Sequence, residues 1–209
     1  MNDSQWNDLK TKEGDKSSIY LDSKGITSIA SGLNLTVGSS LDAVLDVLGH
    51  TKESLGDIRR GILKHNLGKI FKKDWNKDSR KAEVNALLNT AANSVSKTNN
   101  KPSRTMDITR EENRRLATEK VFDGSESGII TRIAAVGRTT NKKATEAFNK
   151  LTADQKHSIK DLKHHGGNGL IGPKLSAAII NDEPHNAAYE ILFGSNHNDH
   201  DGDGKKDTR

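Results

Sequence analysis

The chain has 209 residues, of which 32% are hydrophobic and only 4% aromatic, so its core must be lean and built on Leu, Ile, Val and Ala. The lack of cysteine excludes disulfides and thiolate metal sites, no apolar run approaches the ~20 residues of a membrane span, and the N-terminus lacks a basic-then-apolar secretory signal. A net charge of +5 points to an anionic partner, for which peptidoglycan, nucleic acid and anionic lipid all fit.

Residues 3–12 read as a short helix, with Asp3 and Ser4 as capping residues and Trp6 and Leu9 on one face. Gly14 ends it and leaves Glu13 in the last turn. The negative end of the helix dipole there disfavours an ionised carboxylate, which suits a general acid. Two short strands follow, Ile19 to Leu21 and Ile26 to Ile29, around the turn Asp22-Ser23-Lys24-Gly25. Glu13 and Asp22 thus flank a hairpin, and Ser28 lies on the returning strand. Hydrolysis of a glycosidic bond needs such a pair, one carboxyl to protonate the leaving oxygen and one to activate water. Asp at a turn and Glu at a helix end also occur for structural reasons alone.

This segment resembles the catalytic hairpin of the phage-type lysozymes, glycoside hydrolase family 24. Their Glu-Gly, Tyr-x-Asp, turn Gly and Thr-Ile-Gly-x-Gly stand here as Glu13-Gly14, Tyr20-Leu21-Asp22, Gly25 and Ser28-Ile29-Ala30-Ser31-Gly32. The resemblance implies Glu13 as general acid, Asp22 as the carboxylate that holds the attacking water, and Gly32 in the substrate site. Ser28 falls where the family keeps a water-orienting Thr. A one-residue change of register would present Thr27 instead, and both remain open. Ala30 and Ser31 depart from the family's Gly-x-Gly.

Beyond the hairpin the chain reads as helical. Leu41 to Phe71 carry apolar residues at helical spacing with a break near Gly49, and residues 79–97 repeat the pattern. The stretch 96–104 is a loop or linker. Thr109 to Glu112 reads as a capping box opening a helix to about 121, Ile129 to Val136 as a buried helix, and Thr152 to Gln155 as a second box opening a helix at about 152–164. The resemblance extends from Phe148 through the Gly-rich loop after His164-His165 to a helix around Ala187 to Ile191. It implies that this loop lies along the substrate cleft, making His164, His165 and Asn168 candidates for sugar contact. Paired histidines also simply end helices.

The resemblance omits residues 38–104. Within them, 52–104 hold thirteen Lys or Arg against five Asp or Glu, a net +8, so the rest of the chain carries −3. Such a run is either a solvated helix face or a surface that captures the anionic wall, a membrane or nucleic acid. Trp75, among Lys72, Lys73 and Lys77, suits sugar stacking or core packing. At the end of the chain, Asp199, Asp201, Asp203 and Asp207 match oxygen-ligand positions of a calcium loop, though position 12 is missing. The alternatives are a polar tail or, through His197 and His200, a transition-metal site.

The expected fold is mainly α with a small sheet (α+β), lysozyme-like: a helix and catalytic hairpin at 1–37, a basic helical insertion at 38–104, a helical lobe at 105–195 and a tail at 196–209. The resemblance implies an inverting muramidase acting on the cell wall, delivered by a holin, virion, secretion machine or fusion partner. It requires no cofactor, with calcium only in the tail. Its partner is bacterial peptidoglycan, with an immunity protein or a larger phage or secretion assembly also in view, and neither a specific nucleic acid nor a membrane span. The alternative is a non-catalytic peptidoglycan-binding or structural protein on the same scaffold.

Overall fold

The computed structural model describes residues 1–73, 77–95 and 101–194. It is mainly helical with one three-stranded antiparallel sheet, and it divides into two compact units, Met1–Val121 and Phe122–Arg209.

The first unit opens with α1, Asp3–Glu13. Its cap is Asn2 rather than Asp3 or Ser4: Asn2 Oδ1 accepts from the Gln5 backbone N–H at 2.9 Å, and Gln5 Oε1 accepts from the Asn2 N–H at 3.0 Å. This reciprocal box satisfies two orphan donors, which a single cap cannot do. Gly14 ends the helix as expected, its N–H donating to the Lys10 carbonyl. Trp6 and Leu9 are buried, and Trp6 Nε1 donates to Glu111 Oε1 at 2.8 Å.

Strand β1 is Lys16–Leu21, β2 is Thr27–Ala30 and β3 is Leu33–Asn34, in the order β1-β2-β3. The third strand was not expected. Tyr20 pairs with Ser28, Leu21 with Thr27, Ser28 with Asn34 and Ile29 with Leu33. Because side chains alternate, one face carries Ile19, Thr27, Ile29 and Leu33 and the other carries Tyr20, Ser28 and Asn34.

Helices α2 (Gly38–Val47), α3 (Lys52–Leu55), α4 (Asp57–Phe71) and α5 (Lys77–Asn93) follow. Their Leu41, Val44, Leu45, Leu67, Ile70, Val84 and Leu88 share one core with Ile19, Ile29, Leu33 and Leu35 of the sheet. The expected insertion at 38–104 is therefore the hairpin's own packing partner. Two of its cations are buried and a third, Lys64, is held in an ion pair. Arg60, 5% exposed, reaches Asp42 at 2.9 Å and Asp46 at 2.6 Å, Lys64 pairs with Asp42, and Arg80 is 3% exposed.

Helix α6, Glu111–Gly124, begins later than the Thr109 box predicts, with the Arg110 carbonyl accepting from Arg114 N–H. The boundary between units, Val121/Phe122, falls inside it, so the expected divisions at 37/38 and 104/105 do not coincide with compact units.

The second unit holds α7 (Glu126–Val136), α8 (Asn141–Lys150), α9 (Ala153–Gly166), a 3-10 turn at Gly167–Leu170, α10 (Pro173–Ile180), α11 (Pro184–Tyr189) and a π-helical turn, Glu190–Gly194. The Thr152–Gln155 capping box is present as expected, whereas α8 was not anticipated. Phe148, Ile129, Ile133, Ile159, Leu162 and Ile171 form the core. No helix among the described residues is long and apolar enough to cross a membrane.

Candidate active site

Local chain chemistry builds the first unit's site. Asp22 N–H donates to the Ile26 carbonyl and Gly25 N–H to the Asp22 carbonyl, both at 3.0 Å, and Gly25 takes φ 73°. Glycine adopts that conformation at no steric cost, which fixes the turn. The Asp22 side chain adds to it: Oδ1 accepts from the backbone N–H of Lys24 at 2.9 Å and of Ile26 at 2.8 Å. Both contacts fall on one oxygen, and they orient the carboxylate.

Tyr20 lies on β1, between Glu13 and Asp22 in the chain. Its phenol is half-buried and accepts a hydrogen bond from the Gly32 N–H. Burial first and the charge of Glu13 second push its pKa above 10, the Gly32 contact opposes them, and the charge of Asp22 adds to the rise. A half-buried phenol thus lies within the field of both carboxylates. Glu13, the last residue of α1, is half-buried, as is Asp22.

The two candidate hydroxyls separate by face. Ser28, 2% exposed, pairs across the sheet with Tyr20 and so points to the same side. Thr27 points to the core side, where its Oγ1 accepts from Arg80 Nη1 at 2.5 Å. Arg80 also donates to the Lys73 carbonyl, and its Nε is buried without a hydrogen-bond partner among the described residues. This guanidinium fastens α5 beneath β2. Charge counting alone could not single it out, because the contact joins residues 53 apart.

Ala30 stands where the resemblance expects glycine, and it takes φ 53°. The left-handed conformation costs a residue with a Cβ roughly 1–2 kcal/mol. The geometric demand that glycine would meet is therefore present, and alanine bears it. Gly32 is placed against Tyr20 rather than in isolation.

The remaining expected site residues belong to the second unit. His164 is half-buried, its ring 5.3 Å from that of Phe122. His165 lies in the last turn of α9. Asn168 lines a small cavity with Ser127, Gly128, Thr131, Arg132 and Ala135. Trp75, His197, His200 and the aspartates at 199, 201, 203 and 207 lie outside the described residues. Among the described residues no group of three or more His, Asp or Glu is arranged to hold a metal ion. No protein-family model, no curated protein and no solved structure matches this chain.

Proposed function

We propose that the chain is a peptidoglycan hydrolase of lysozyme-like fold, a muramidase that cleaves the β-1,4 bond between N-acetylmuramic acid and N-acetylglucosamine. The observation that supports this reading is that the charges of Glu13 and Asp22 both act on the Tyr20 phenol, with Ser28 on the same face of the hairpin as Tyr20. Glu13 donates its proton to the glycosidic oxygen as the bond to the anomeric carbon breaks. A water held by Asp22 attacks that carbon from the opposite side and passes its proton to the carboxylate. Because Oδ1 of Asp22 is occupied by two backbone N–H groups, Oδ2 is the oxygen that takes the water. Inversion of the anomeric centre follows when the two carboxyl groups stand ~6.5–9.5 Å apart, with room for that water.

One observation favours a second reading, a non-catalytic peptidoglycan-binding protein. The Asp22 contacts already account for this residue as part of the turn. Digestion of purified peptidoglycan separates the two. The hydrolase releases muropeptides with new reducing ends, and Glu13→Gln lowers the rate at least a thousandfold while the protein stays folded. A folded wild-type chain that sediments with peptidoglycan and releases nothing overturns the enzyme.

A further inference from the structure

The cavity lined by α7 and the turn after α9 has a volume of 340 Å³, and four of the six residues that line it, Ser127, Thr131, Arg132 and Asn168, carry polar side chains. Ser127 and Thr131, one turn apart on α7, supply hydroxyls, and Asn168 supplies an amide. Arg132, half-buried, is steadied by donation from its Nε to the Ile171 carbonyl at 3.1 Å. Lys163 stands against one of the lining residues, Gly128. Its ammonium donates to the Ser125 carbonyl at 3.0 Å and lies against the bare backbone of Gly128, where a Cβ would stand only 2.8 Å from Nζ.

Neither cation has a carboxylate partner among the described residues. The nearby acids Asp123 and Glu126 are taken by Lys160, at 3.1 and 2.7 Å. Burial alone depresses the pKa of Lys163, with no acid to restore it. Half-buried cations withdrawn from water are costly unless an anion compensates them, and a charge-assisted hydrogen bond is the strong form of that compensation. Arg132 on the cavity wall and Lys163 against its Gly128, neither with a carboxylate partner among the described residues, together with the hydroxyls and amide of the lining make a candidate anion site.

We propose that this cavity binds a carboxylate or phosphate group carried on a small hydroxyl-rich ligand, with Arg132 and Lys163 holding the anionic oxygens and Ser127, Thr131 and Asn168 reading the hydroxyl and amide groups. The site belongs to the second unit and does not need the hydrolase, so a chain made inactive by Glu13→Gln still binds.

The test is a titration of isotope-labelled protein followed by NMR at the amides of Ser127, Gly128, Thr131 and Asn168. The probes are N-acetylmuramic acid, its neutral counterpart N-acetylglucosamine, and inorganic phosphate. Saturable shifts with N-acetylmuramic acid alone assign a carboxylated saccharide, and shifts with phosphate alone assign a phosphorylated ligand. Arg132→Gln and Lys163→Gln each weaken binding tenfold or more, whereas Arg132→Lys and Lys163→Arg, which keep the charge, hold it within a few-fold. The proposal is overturned if neither anion moves these amides, if N-acetylglucosamine moves them as far as N-acetylmuramic acid, or if the Gln variants bind like the wild type.

Discussion

Thr27 and Ser28 are adjacent hydroxyls with opposite duties, and the alternation of the strand divides them. Thr27 gives its oxygen to a buried guanidinium, so Thr27→Val leaves an Arg80 N–H without an acceptor. Hydrogen bonds to charged groups are worth about 1.5–3 kcal/mol, and the variant is expected to lose that much in denaturant unfolding. Ser28→Ala, on the Tyr20 face, is expected to change stability by less than about 1 kcal/mol and to slow muropeptide release at least tenfold. A Thr27→Val protein as stable as the wild type argues against the Arg80 contact. A Ser28→Ala protein with full turnover removes Ser28 from the water's surroundings. Sequence patterns presented both hydroxyls but could not choose between them, because the choice depends on a partner 53 residues away.

The hairpin was legible because its turn is local chemistry: Asp22 bonds its own neighbours, and Gly25 takes the positive φ. Strand β3 was not legible, since two residues carry no periodicity. Helix α8 was missed because its buried face amounts to Ala144, Ala147 and Phe148 in an otherwise polar run. The connection between the α2–α3 loop and the 101–106 segment was equally hidden; Ser103 N–H donates to the Leu48 carbonyl, and His50 adds a second contact. This side chain is fully buried, and its Nε2–H donates to the Ser103 carbonyl at 2.8 Å, which leaves Nδ1 without a partner among the described residues. Burial first and the neighbouring charge of Arg60 lower its pKa, against the opposing pull of the Ser103 contact. The fold therefore holds His50 neutral. In the unfolded chain His50 takes up a proton below its ordinary pKa of 6.5. Stability is complete above that value and is lost as pH falls through 6.5 toward the lower folded pKa, at up to about 1.4 kcal/mol per pH unit. Denaturant unfolding between pH 8 and 5 checks this: the acid-side loss is expected to be smaller in His50→Gln, and parallel curves refute it.

At the scale of the whole molecule, the positive charge belongs entirely to one unit. Residues 1–121 hold 21 Lys or Arg against 16 Asp or Glu, a net +5, while residues 122–209 hold 12 of each. A charge run in sequence cannot tell which cations are already spent. In the folded chain Arg60 and Arg80 are buried and Lys64 is paired with Asp42, whereas Lys69 and Lys72, at the end of α4, are exposed. If the chain acts on peptidoglycan as proposed, the exposed charges of the first unit are what would attract that anionic polymer, and exposed charges are screened. The Debye length falls from about 10 Å at 0.1 M salt to about 3 Å at 1 M, so cosedimentation of the Glu13→Gln chain with intact peptidoglycan is expected to drop several-fold across that range. Glu13→Gln serves here because the polymer must survive the assay. Lys69→Glu with Lys72→Glu is expected to lower binding at 0.1 M salt and to flatten its salt dependence, leaving the fold intact because both side chains lie at the surface. Binding that ignores salt would place the contact in short-range hydrogen bonds, and α4 would then be only a solvated face.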